Sequence, residues 1–388
     1  MLPATEEEVA AALRAAAAVR EPLAIEGHGT KRAMLRPVQA ARTLSTRALT
    51  GITLYRPTEL VISARAGTPI PEIEAALAAH NQQLIAEPPD PRPLFGGDLP
   101  ATLGGVVGAN LSGPRRIAWG ATRDHVLGIR AVTGEGEVFR SGGRVLKNVT
   151  GLDLCKLLTG AHGTLGVLTE ITLKVLPRAE TSGSLVLRVP DIAAGVRALS
   201  AALGSPFGVS GAALLPAGFG AATGCLALVR VEDLAPSVRY RLDRLSEALG
   251  GFGEVARLDE AASVALWRAV RDAEPLAAAP EEAVWRLSLA PSAAPAACAA
   301  LGAAFGAKLL LDWGGGLVWV AGPATEAAHA AVMRAAAGGA FTLFRAPDAL
   351  RAALPVLPEE APALAAIGAR VKAVLDPAGI LNPGRMRA

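Results

Sequence analysis

The sequence is poor in the residue types that build metal centres and disulfide frameworks. Its 388 residues include five histidines and three cysteines, and the cysteines lie far apart at Cys155, Cys225 and Cys298. An odd, unclustered set of thiols favours neither a disulfide framework nor a zinc or iron–sulfur site. We therefore expect reduced thiols, a cytoplasmic setting and no metal ion bound by this chain.

Long apolar runs and an excess of one charge are also missing. The formal net charge of +3 is spread along the chain, so nothing indicates nucleic acid as a partner. Alanine-rich stretches such as 290–306 contain proline and fall short of a membrane span. The acidic start at residues 6–8 does not resemble a signal peptide. We expect no direct membrane insertion, and at most a peripheral position at the inner membrane through partners.

The composition that remains is that of a globular protein, with 51% apolar and 4% aromatic residues. Its length suits two domains rather than one core. Thr5 and Glu8 form a capping box that predicts a helix to about Arg20. Helix and strand patterns then alternate as far as Pro177, which indicates α/β pairing. The expected strands are 23–26, 60–66, 84–85, 126–133, 137–140 and 167–175, and the expected helices are 71–80, 152–159 and one from about 103.

Beyond Pro177 the pattern changes to short strands and helices with a glycine hairpin turn at 314–316. Such a mixture predicts an antiparallel α+β domain. A last helix is expected at 359–375. The strands and helices between Pro177 and this last helix are expected near 184–189, 191–203, 225–231, 235–249, 284–289, 307–312, 317–321, 324–336 and 341–345.

The first candidate binding motif follows the strand at 23–26 and consists of Gly27, His28, Gly29, Thr30 and Lys31. Its glycines allow the backbone to approach a diphosphate, to which the threonine adds a hydroxyl and the lysine a charge. The spacing fits neither a Walker A loop nor a Rossmann fingerprint. By itself, a pattern of this kind is more often an ordinary turn.

Two further glycine motifs follow. Thr102, Gly104 and Gly105 stand where a loop enters a helix, so that N–H groups and the helix dipole are available to a phosphate or a flavin carbonyl. Asn110 and Gly113 stand at the end of this block. The alternative is close helix packing at Gly105 and Gly108. The second motif, residues 163–167, precedes a strand and includes Gly166 and Val167.

Taken together, these motifs resemble the FAD-binding domain of the vanillyl-alcohol oxidase/p-cresol methylhydroxylase (PCMH) superfamily. Within it, the chain is similar to the smaller flavin (E-type) subunits of bacterial glycolate oxidases. The resemblance spans nearly the whole chain and is strongest over 20–177. The order and spacing of five segments carry it, namely 102–105, 113–116, 123–128, 147–151 and 163–167.

The resemblance implies an α+β fold in which a PCMH-type FAD-binding domain of two subdomains carries a shortened antiparallel α+β cap. We expect the FAD-binding domain at 1–178, the cap at 179–375, and a C-terminal segment at 376–388 that returns to the FAD-binding domain. It further implies main-chain contacts to FAD at Gly166 and Val167, and cofactor contacts in the second motif at Thr102, Gly104, Gly105, Asn110 and Gly113. Many relatives attach FAD through a histidine that follows the glycines of the first loop. His28 lies between the glycines, so we expect noncovalent FAD.

The cap is informative through what it lacks. Larger relatives that oxidise D-2-hydroxy acids carry a histidine- and acid-rich metal site there, whereas His329 is the one histidine after residue 180. Arg286 and Asp312 are the candidates for substrate binding or catalysis, because an arginine fork suits a carboxylate. Ordinary strand surface is the alternative for both. Leu152 also stands where the family usually has tyrosine. The histidines other than His28 are scattered single residues that we expect at the surface or in turns, namely His80, His125, His162 and His329.

The implied function is that of the FAD-binding subunit of a glycolate, or 2-hydroxy acid, oxidase complex. A base takes the hydroxyl proton while hydride passes to the flavin. The implied partners are a larger flavin subunit and an iron–sulfur subunit that carries electrons onward. Two alternatives remain open at this point: a stand-alone flavin-dependent alcohol or hydroxy-acid oxidoreductase, and a flavin-binding structural subunit without chemistry.

Overall fold

The computed structural model describes residues 1–143 and 152–387, so the 147–151 motif lies outside the described residues. The fold is α+β, as expected. In chain order, the strands are β1 (Leu23–Glu26), β2 (Arg42–Ser45), β3 (Ile52–Arg56), β4 (Val61–Arg65), β5 (Gln82–Gln83), β6 (Val126–Val132), β7 (Val138–Gly142), β8 (Val167–Lys174), β9 (Leu176–Pro177), β10 (Thr181–Val189), β11 (Val209–Leu215), β12 (Cys225–Asp233), β13 (Glu254–Leu258), β14 (Ala283–Ser288), β15 (Lys308–Asp312), β16 (Leu317–Gly322) and β17 (Ala340–Arg345).

Helices occupy most of the connections between these strands. They are α1 (Glu6–Ala18), α2 (Ile70–Ala78), α3 (Arg92–Phe95), α4 (Leu103–Ala109), α5 (Arg116–Trp119), α6 (Thr122–His125), α7 (Leu154–Leu158), α8 (Ile192–Leu203), α9 (Ala235–Leu249), α10 (Glu260–Arg271), α11 (Ala294–Phe305), α12 (Glu326–Ala335), α13 (Asp348–Ala353) and α14 (Pro362–Leu375). Throughout 1–143 and 152–387, each helix is too short or too polar to cross a membrane.

The first subdomain is a small core around the parallel pair β1–β2. Thr5 caps α1 by accepting a hydrogen bond from the Glu8 N–H, and Val9 and Leu13 on one face of that helix are fully buried. Ile380 and Leu381 complete the same core from the far end of the chain. The C-terminal segment is therefore part of the first subdomain rather than a free tail.

The second subdomain is a five-stranded antiparallel sheet in the order β3-β4-β8-β6-β7. Ile73 and Leu77 of α2 and Val107 of α4 are fully buried in its core. Because α4 packs on this sheet, the loop that precedes it is held at the boundary with the first subdomain. This is where the glycine motif at 102–105 lies.

The cap is an eight-stranded antiparallel sheet in the order β13-β10-β12-β11-β15-β16-β14-β17. Helices α8, α9 and α10 pack against its strands. The expected antiparallel cap is confirmed, but several elements were missed from the sequence. One is β11, in which all seven residues are buried, so no alternation of polar and apolar residues marks it as a strand.

One predicted strand is wrong. Leu84 and Ile85 lie outside regular structure and in a turn, although both side chains are buried, and the short strand is instead β5, which pairs with β9. An apolar pair does not distinguish a strand from a buried turn.

Buried ion pairs join the cap to the N-terminal half of the chain. Arg230 of the cap donates to both carboxylate oxygens of Glu87 at 3.0 and 2.9 Å. Arg115 contacts Glu232 of the cap in the same way. Burial alone would raise the pKa of Glu232, but Arg230 and Arg115 lower it to about 2. The network is charged at neutral pH and fixes how the two halves meet.

Candidate cofactor site

A cleft of about 420 Å³ lies where the two subdomains and the C-terminal segment meet. Ten of the twelve residues predicted to bind the cofactor line it: Gly27, His28, Gly29, Thr30, Lys31, Thr102, Gly104, Gly105, Gly166 and Val167. These residues come from three separate stretches of the chain. The fold therefore brings the three glycine motifs to one cavity.

The loop after β1 forms one wall and has unused hydrogen-bond donors. The N–H groups of residues 28–31 donate to no described residue, whereas the carbonyls of Gly29 and Lys31 accept from the next turn of the loop. Gly29 has φ +72°, a conformation that glycine adopts without strain. Consecutive unpaired N–H groups in a turn form a concave site for an anion.

Cations surround this wall. Burial, then repulsion by Arg385, lowers the pKa of Lys31 to about 8. Burial, then the charge of Arg351, lowers the pKa of Arg385 to about 10. Lys31 Nζ contacts only the Thr30 hydroxyl at 3.2 Å among the described residues. A diphosphate placed here would relieve the repulsion between these cations.

The second glycine motif differs from the expectation in one respect. The N–H groups of Leu103 and Gly104 bond to the carbonyls of Thr68 and Ala66, and that of Gly105 bonds to Thr102 Oγ1. The start of α4 therefore offers no unused N–H at these positions, and the idea that they receive a phosphate is wrong. Sequence reasoning missed this because both acceptor carbonyls come from a loop more than 30 residues earlier.

Close packing explains the glycines of this second wall. A Cβ on Gly104 would lie 2.8 Å from the Ala66 Cβ, and a Cβ on Gly27 would lie 2.2 Å from Thr102 Oγ1. Gly108 differs, because a Cβ there would meet nothing within 4 Å although the residue lines the cleft. The open side of α4 that faces the cavity is thus at Gly108.

The third wall precedes β8 and adds a histidine that the sequence did not single out. His162 lines the cleft beside Gly163, and Asn382 Nδ2 donates to its carbonyl at 2.8 Å. Burial, then the charges of Arg385 and Lys31, lowers the pKa of His162 to about 3. The imidazole is therefore neutral at physiological pH and adds hydrogen-bonding capacity without adding charge.

The C-terminal segment holds two of these walls in place. Asn382 accepts from the Ile25 N–H at 2.7 Å and donates to the Ile25 carbonyl at 3.2 Å. Arg385 donates to the carbonyls of Lys31, Arg32 and Arg36 at 2.6, 3.1 and 3.1 Å. A segment more than 340 residues away in sequence thereby fixes the first loop.

His28 has a defined orientation in the cleft. Its Nδ1 lies 2.8 Å from the carbonyl oxygen of Pro100. Because a carbonyl only accepts, Nδ1 carries the proton and donates. That nitrogen is thus engaged within the chain.

Two predicted cofactor residues lie outside the cleft lining. Asn110 ends α4 in the left-handed conformation, and its Oδ1 accepts from the Arg123 N–H. Gly113 packs under the Glu87 carbonyl, and its own carbonyl accepts from Trp313 Nε1 at 3.1 Å. Contact between either residue and the cofactor stays a prediction. Asp124 caps a turn by accepting from the Ala121 N–H rather than lining the cleft.

The catalytic candidates also lie away from the cleft, in the cap. Arg286 on β14 faces the aromatic rings of Trp319 and Phe344. Asp312 is 3% exposed and accepts from the Trp313 N–H at 2.7 Å. Burial, against the pull of Arg230 and Arg286, raises the pKa of Asp312 to about 7. Neither residue is ordinary strand surface.

The one histidine of the cap is a core residue. His329 is 2% exposed, and its Nδ1 accepts from Trp285 Nε1 at 3.1 Å. The expectation that it is a surface or turn residue is wrong, since α12 turns it into the core. Among the side chains that the structure describes, no three His, Cys, Asp or Glu residues are grouped to hold a metal ion.

The antiparallel cap and a cation-lined cleft between two small subdomains define an FAD-linked oxidoreductase of the PCMH fold. The FAD binding domain family matches residues 1–142, and the C-terminal domain family of FAD-linked oxidases matches residues 354–386. The structure of p-cresol methylhydroxylase superposes with a TM-score of 0.73 at 13% identity, covering 100% of this chain and 88% of that one. The expected fold and cofactor are confirmed.

Similarity in sequence places the chain more narrowly among the FAD-linked oxidoreductases. Glycolate oxidase subunit GlcE of Escherichia coli is 38% identical over 370 residues, which are 95% of this chain and 93% of that protein. The chain belongs to this family of glycolate oxidase E subunits within the FAD-linked oxidoreductases.

More distant relatives match only in part. Glycolate oxidase subunit GlcD of Bacillus subtilis is 37% identical over 29% of this chain and 23% of that protein. D-lactate dehydrogenase of Archaeoglobus fulgidus is 30% identical over 49% of this chain and 41% of that protein. The chain is thus an FAD-dependent oxidoreductase of a family that acts on hydroxy acids.

Proposed function

We propose that the chain binds FAD noncovalently and takes part in the oxidation of glycolate, or a similar small 2-hydroxy acid, as one subunit of an oxidase complex. The observation that carries the proposal is the cleft in which the unpaired N–H groups of 28–31 meet Lys31 and Arg385. That donor set suits a diphosphate. The E. coli GlcE relative supports the substrate class.

The residues present fit the FAD diphosphate and its neighbouring groups. The first loop and Lys31 would hold the phosphates, and the surface of α4 at Gly108 and the backbone at Gly166 and Val167 would hold the rest of the cofactor. When bound, FAD supplies the acceptor for the two electrons that leave the substrate. Attachment through His28 Nδ1 is disfavoured because that nitrogen already donates to Pro100.

The hydroxyl proton of the substrate needs an acceptor, and Asp312 is the proposed group. Its raised pKa of about 7 lets it be deprotonated, yet basic enough to take a proton, near neutral pH. Arg286 has Asp312 among its charged neighbours and lies in the same part of the cap. The two candidates would thus act together rather than at separate sites.

The proposed partners are a larger flavin subunit and an iron–sulfur subunit. The names of the E. coli GlcE and B. subtilis GlcD relatives each describe a subunit of a glycolate oxidase, which supports a complex with more than one kind of subunit. The scattered cysteines are a second argument for an external electron carrier, because Cys155, Cys225 and Cys298 are unpaired and far apart.

The mode of FAD binding is tested by acid precipitation of the purified chain. We expect the flavin to stay in the supernatant. A yellow pellet that keeps its colour through washing would show covalent attachment, and the assignment of His28 would then be wrong.

The division of labour is tested by anaerobic mixing with excess glycolate or D-lactate, followed at the flavin absorption band. We expect slow bleaching of the isolated chain and fast bleaching after reconstitution with the larger flavin subunit and the iron–sulfur subunit. Rapid, complete bleaching of the isolated chain would instead support a stand-alone oxidoreductase. Flavin of this chain that stays oxidised even in the complex would support a structural subunit.

A further inference from the structure

Arg286 is an arginine without an acceptor. Its Nε is buried and makes no hydrogen bond, and no described side chain forms an ion pair with its guanidinium. Three aromatic rings surround it, with the centroids of Trp319, Phe344 and Trp313 at 4.7, 5.5 and 5.6 Å from Cζ. β14 and β16 hold it there, since Arg286 lies opposite Trp319 in the sheet register.

Such an environment is unfavourable for a cation unless something else enters it. Cation–π contacts are individually weak, whereas a buried donor left unpaired is costly, and more so when it is charged. Arg345, one strand away on β17, also has a buried Nε without a partner, but its Nη groups donate to the carbonyls of Leu94, Ala279 and Glu282. Arg286 has no such carbonyls.

A second guanidinium reaches the same ring from the FAD-binding half of the chain. Arg116 lies with its Cζ 4.5 Å from the centroid of Trp313, and it also has no hydrogen-bond or ion-pair partner for its side chain among the described residues. The charge of Arg116 adds to burial in lowering the pKa of Arg286 to about 10. Two like charges are thus held near each other without an anion between them.

Trp313 is fixed in this position from both sides. Its indole Nε1 donates to the Gly113 carbonyl of the FAD-binding half, and its backbone N–H donates to Asp312. The chain leaves the lining of the cofactor cleft at Ala109, four residues before Gly113, which spans at most about 14 Å. The two arginines therefore lie at the junction between the cap and the FAD-binding half, where Gly113 is within about 14 Å of the cleft lining.

We propose that Arg286 and Arg116, both held against Trp313, form the binding site for the carboxylate of the acid substrate. A guanidinium presents a planar fork that matches a carboxylate with two parallel hydrogen bonds. The three aromatic rings keep the fork of Arg286 in one orientation. Asp312 is a positioning residue for this site through the Trp313 N–H. The proposal rests on the proposed function for its substrate class.

The test uses the full chain with FAD bound and oxalate as the probe, because oxalate has two carboxylates and no C–H hydrogen to lose. Binding is followed by tryptophan fluorescence and by calorimetry, so it needs no turnover. We expect oxalate to bind, and glycolamide, whose amide replaces the carboxylate, to bind at least about tenfold more weakly. Arg286→Gln and Arg116→Gln should each weaken oxalate at least about tenfold.

Two controls separate the site from general effects. Arg197→Gln removes an exposed cap arginine on α8 and should leave oxalate binding unchanged. Arg286→Lys keeps the charge but loses the fork, and should restore only part of the affinity. The FAD content of each variant reports whether it is folded. If Arg286→Gln loses FAD, the oxalate affinity of the Arg116→Gln variant tests the site in its place.

Absence of oxalate binding to the wild-type chain, or equal binding by the wild-type, Arg286→Gln and Arg116→Gln chains, would overturn the site. The outcome is distinct from failure of the proposed function. Oxalate that binds through the two arginines while no hydroxy acid reduces the flavin of the complex would leave the site standing and remove the function. Turnover of a hydroxy acid by the complex that survives both substitutions unchanged would leave the proposed function standing and remove the carboxylate site.

Discussion

The cofactor cleft and the cap junction each contain a half-buried arginine without a carboxylate partner, but the two arginines differ in what surrounds them. Arg385 in the cleft donates to three backbone carbonyls. Arg286 at the junction has three aromatic rings and no acceptor. The hydrogen bonds of Arg385 are thus provided by the fold and shape a loop, whereas the guanidinium of Arg286 has no acceptor within the chain and can bind a ligand.

The largest expected effect breaks the cleft side of this comparison. Arg385→Met removes three charge-assisted contacts to the loop at 31–36, so the first wall loosens and FAD binding weakens by about 100-fold. Arg286→Met touches no cleft wall and should keep its FAD. Flavin content after purification and FAD titration of the apoprotein measure both. Equal FAD content in the two variants would contradict the division between the arginines.

The next effect sharpens the position of the cofactor. Gly108→Val adds a branched side chain in open space that lines the cleft, and should weaken FAD by about tenfold or more. Gly302→Val is the matched control, since it is also a helical glycine with open space around it but lies on the surface of α11. Valine is a better helix former than glycine, so neither helix is weakened. FAD loss in both variants, or in neither, would place the cofactor elsewhere.

A smaller effect concerns charge in the cleft. The pKa of Lys31 is about 8 without a ligand, and a bound diphosphate raises it. At pH 8 to 9 binding must therefore take up a proton, and FAD affinity should fall by up to about tenfold between pH 7.5 and 9. Calorimetry in buffers of different ionisation enthalpy measures the uptake. Lys31→Arg should remove the pH dependence, and its persistence there would assign it to another group.

The smallest effect is on stability at the junction. The pKa of Asp312 is raised to about 7, mainly by burial, with Arg230 and Arg286 opposing and Glu87 assisting. The folded state therefore binds the proton more tightly than the unfolded state, so Asp312 reduces stability progressively from about pH 4 to pH 7. Asp312→Asn should unfold at a higher temperature than wild type at pH 8, with the gap closing near pH 4. A difference in unfolding temperature that does not change with pH would instead assign the effect to the hydrogen bond that Asp312 accepts from the Trp313 N–H.

The positions of local elements were predictable from the sequence where periodicity and caps agree. Thr5 and Glu8 marked the start of α1, and the run of β-type residues at 126–133 marked β6. Buried strands such as β11 were missed because neighbouring strands and helices cover both faces, which leaves no polar side to alternate with. The strand predicted at Leu84 and Ile85 was wrong for a related reason, because burial alone does not define a strand.

The site was predictable in its parts but not in its assembly. The motifs at 27–31, 102–105 and 163–167 carry glycines at positions that only glycine fills, because of positive φ at Gly29 and close packing at Gly27 and Gly104. The sequence did not show which backbone N–H groups of these motifs remain without a hydrogen-bond partner. The N–H groups of 103–105 are consumed by carbonyls across a loop, and those of 28–31 are not.

By itself, then, the sequence determined the family, the cofactor class and the order of the loops, because these depend on residue types at short spacing. Only the tertiary structure decided that Asn382 and Arg385 hold the first loop, that His162 enters the cleft as a neutral group, and that Arg286 meets Arg116 at Trp313. Each of these depends on contacts between residues far apart in the chain. Burial and long-range pairing set the charge and the unused donors of a side chain, and neither is written in its neighbours along the sequence.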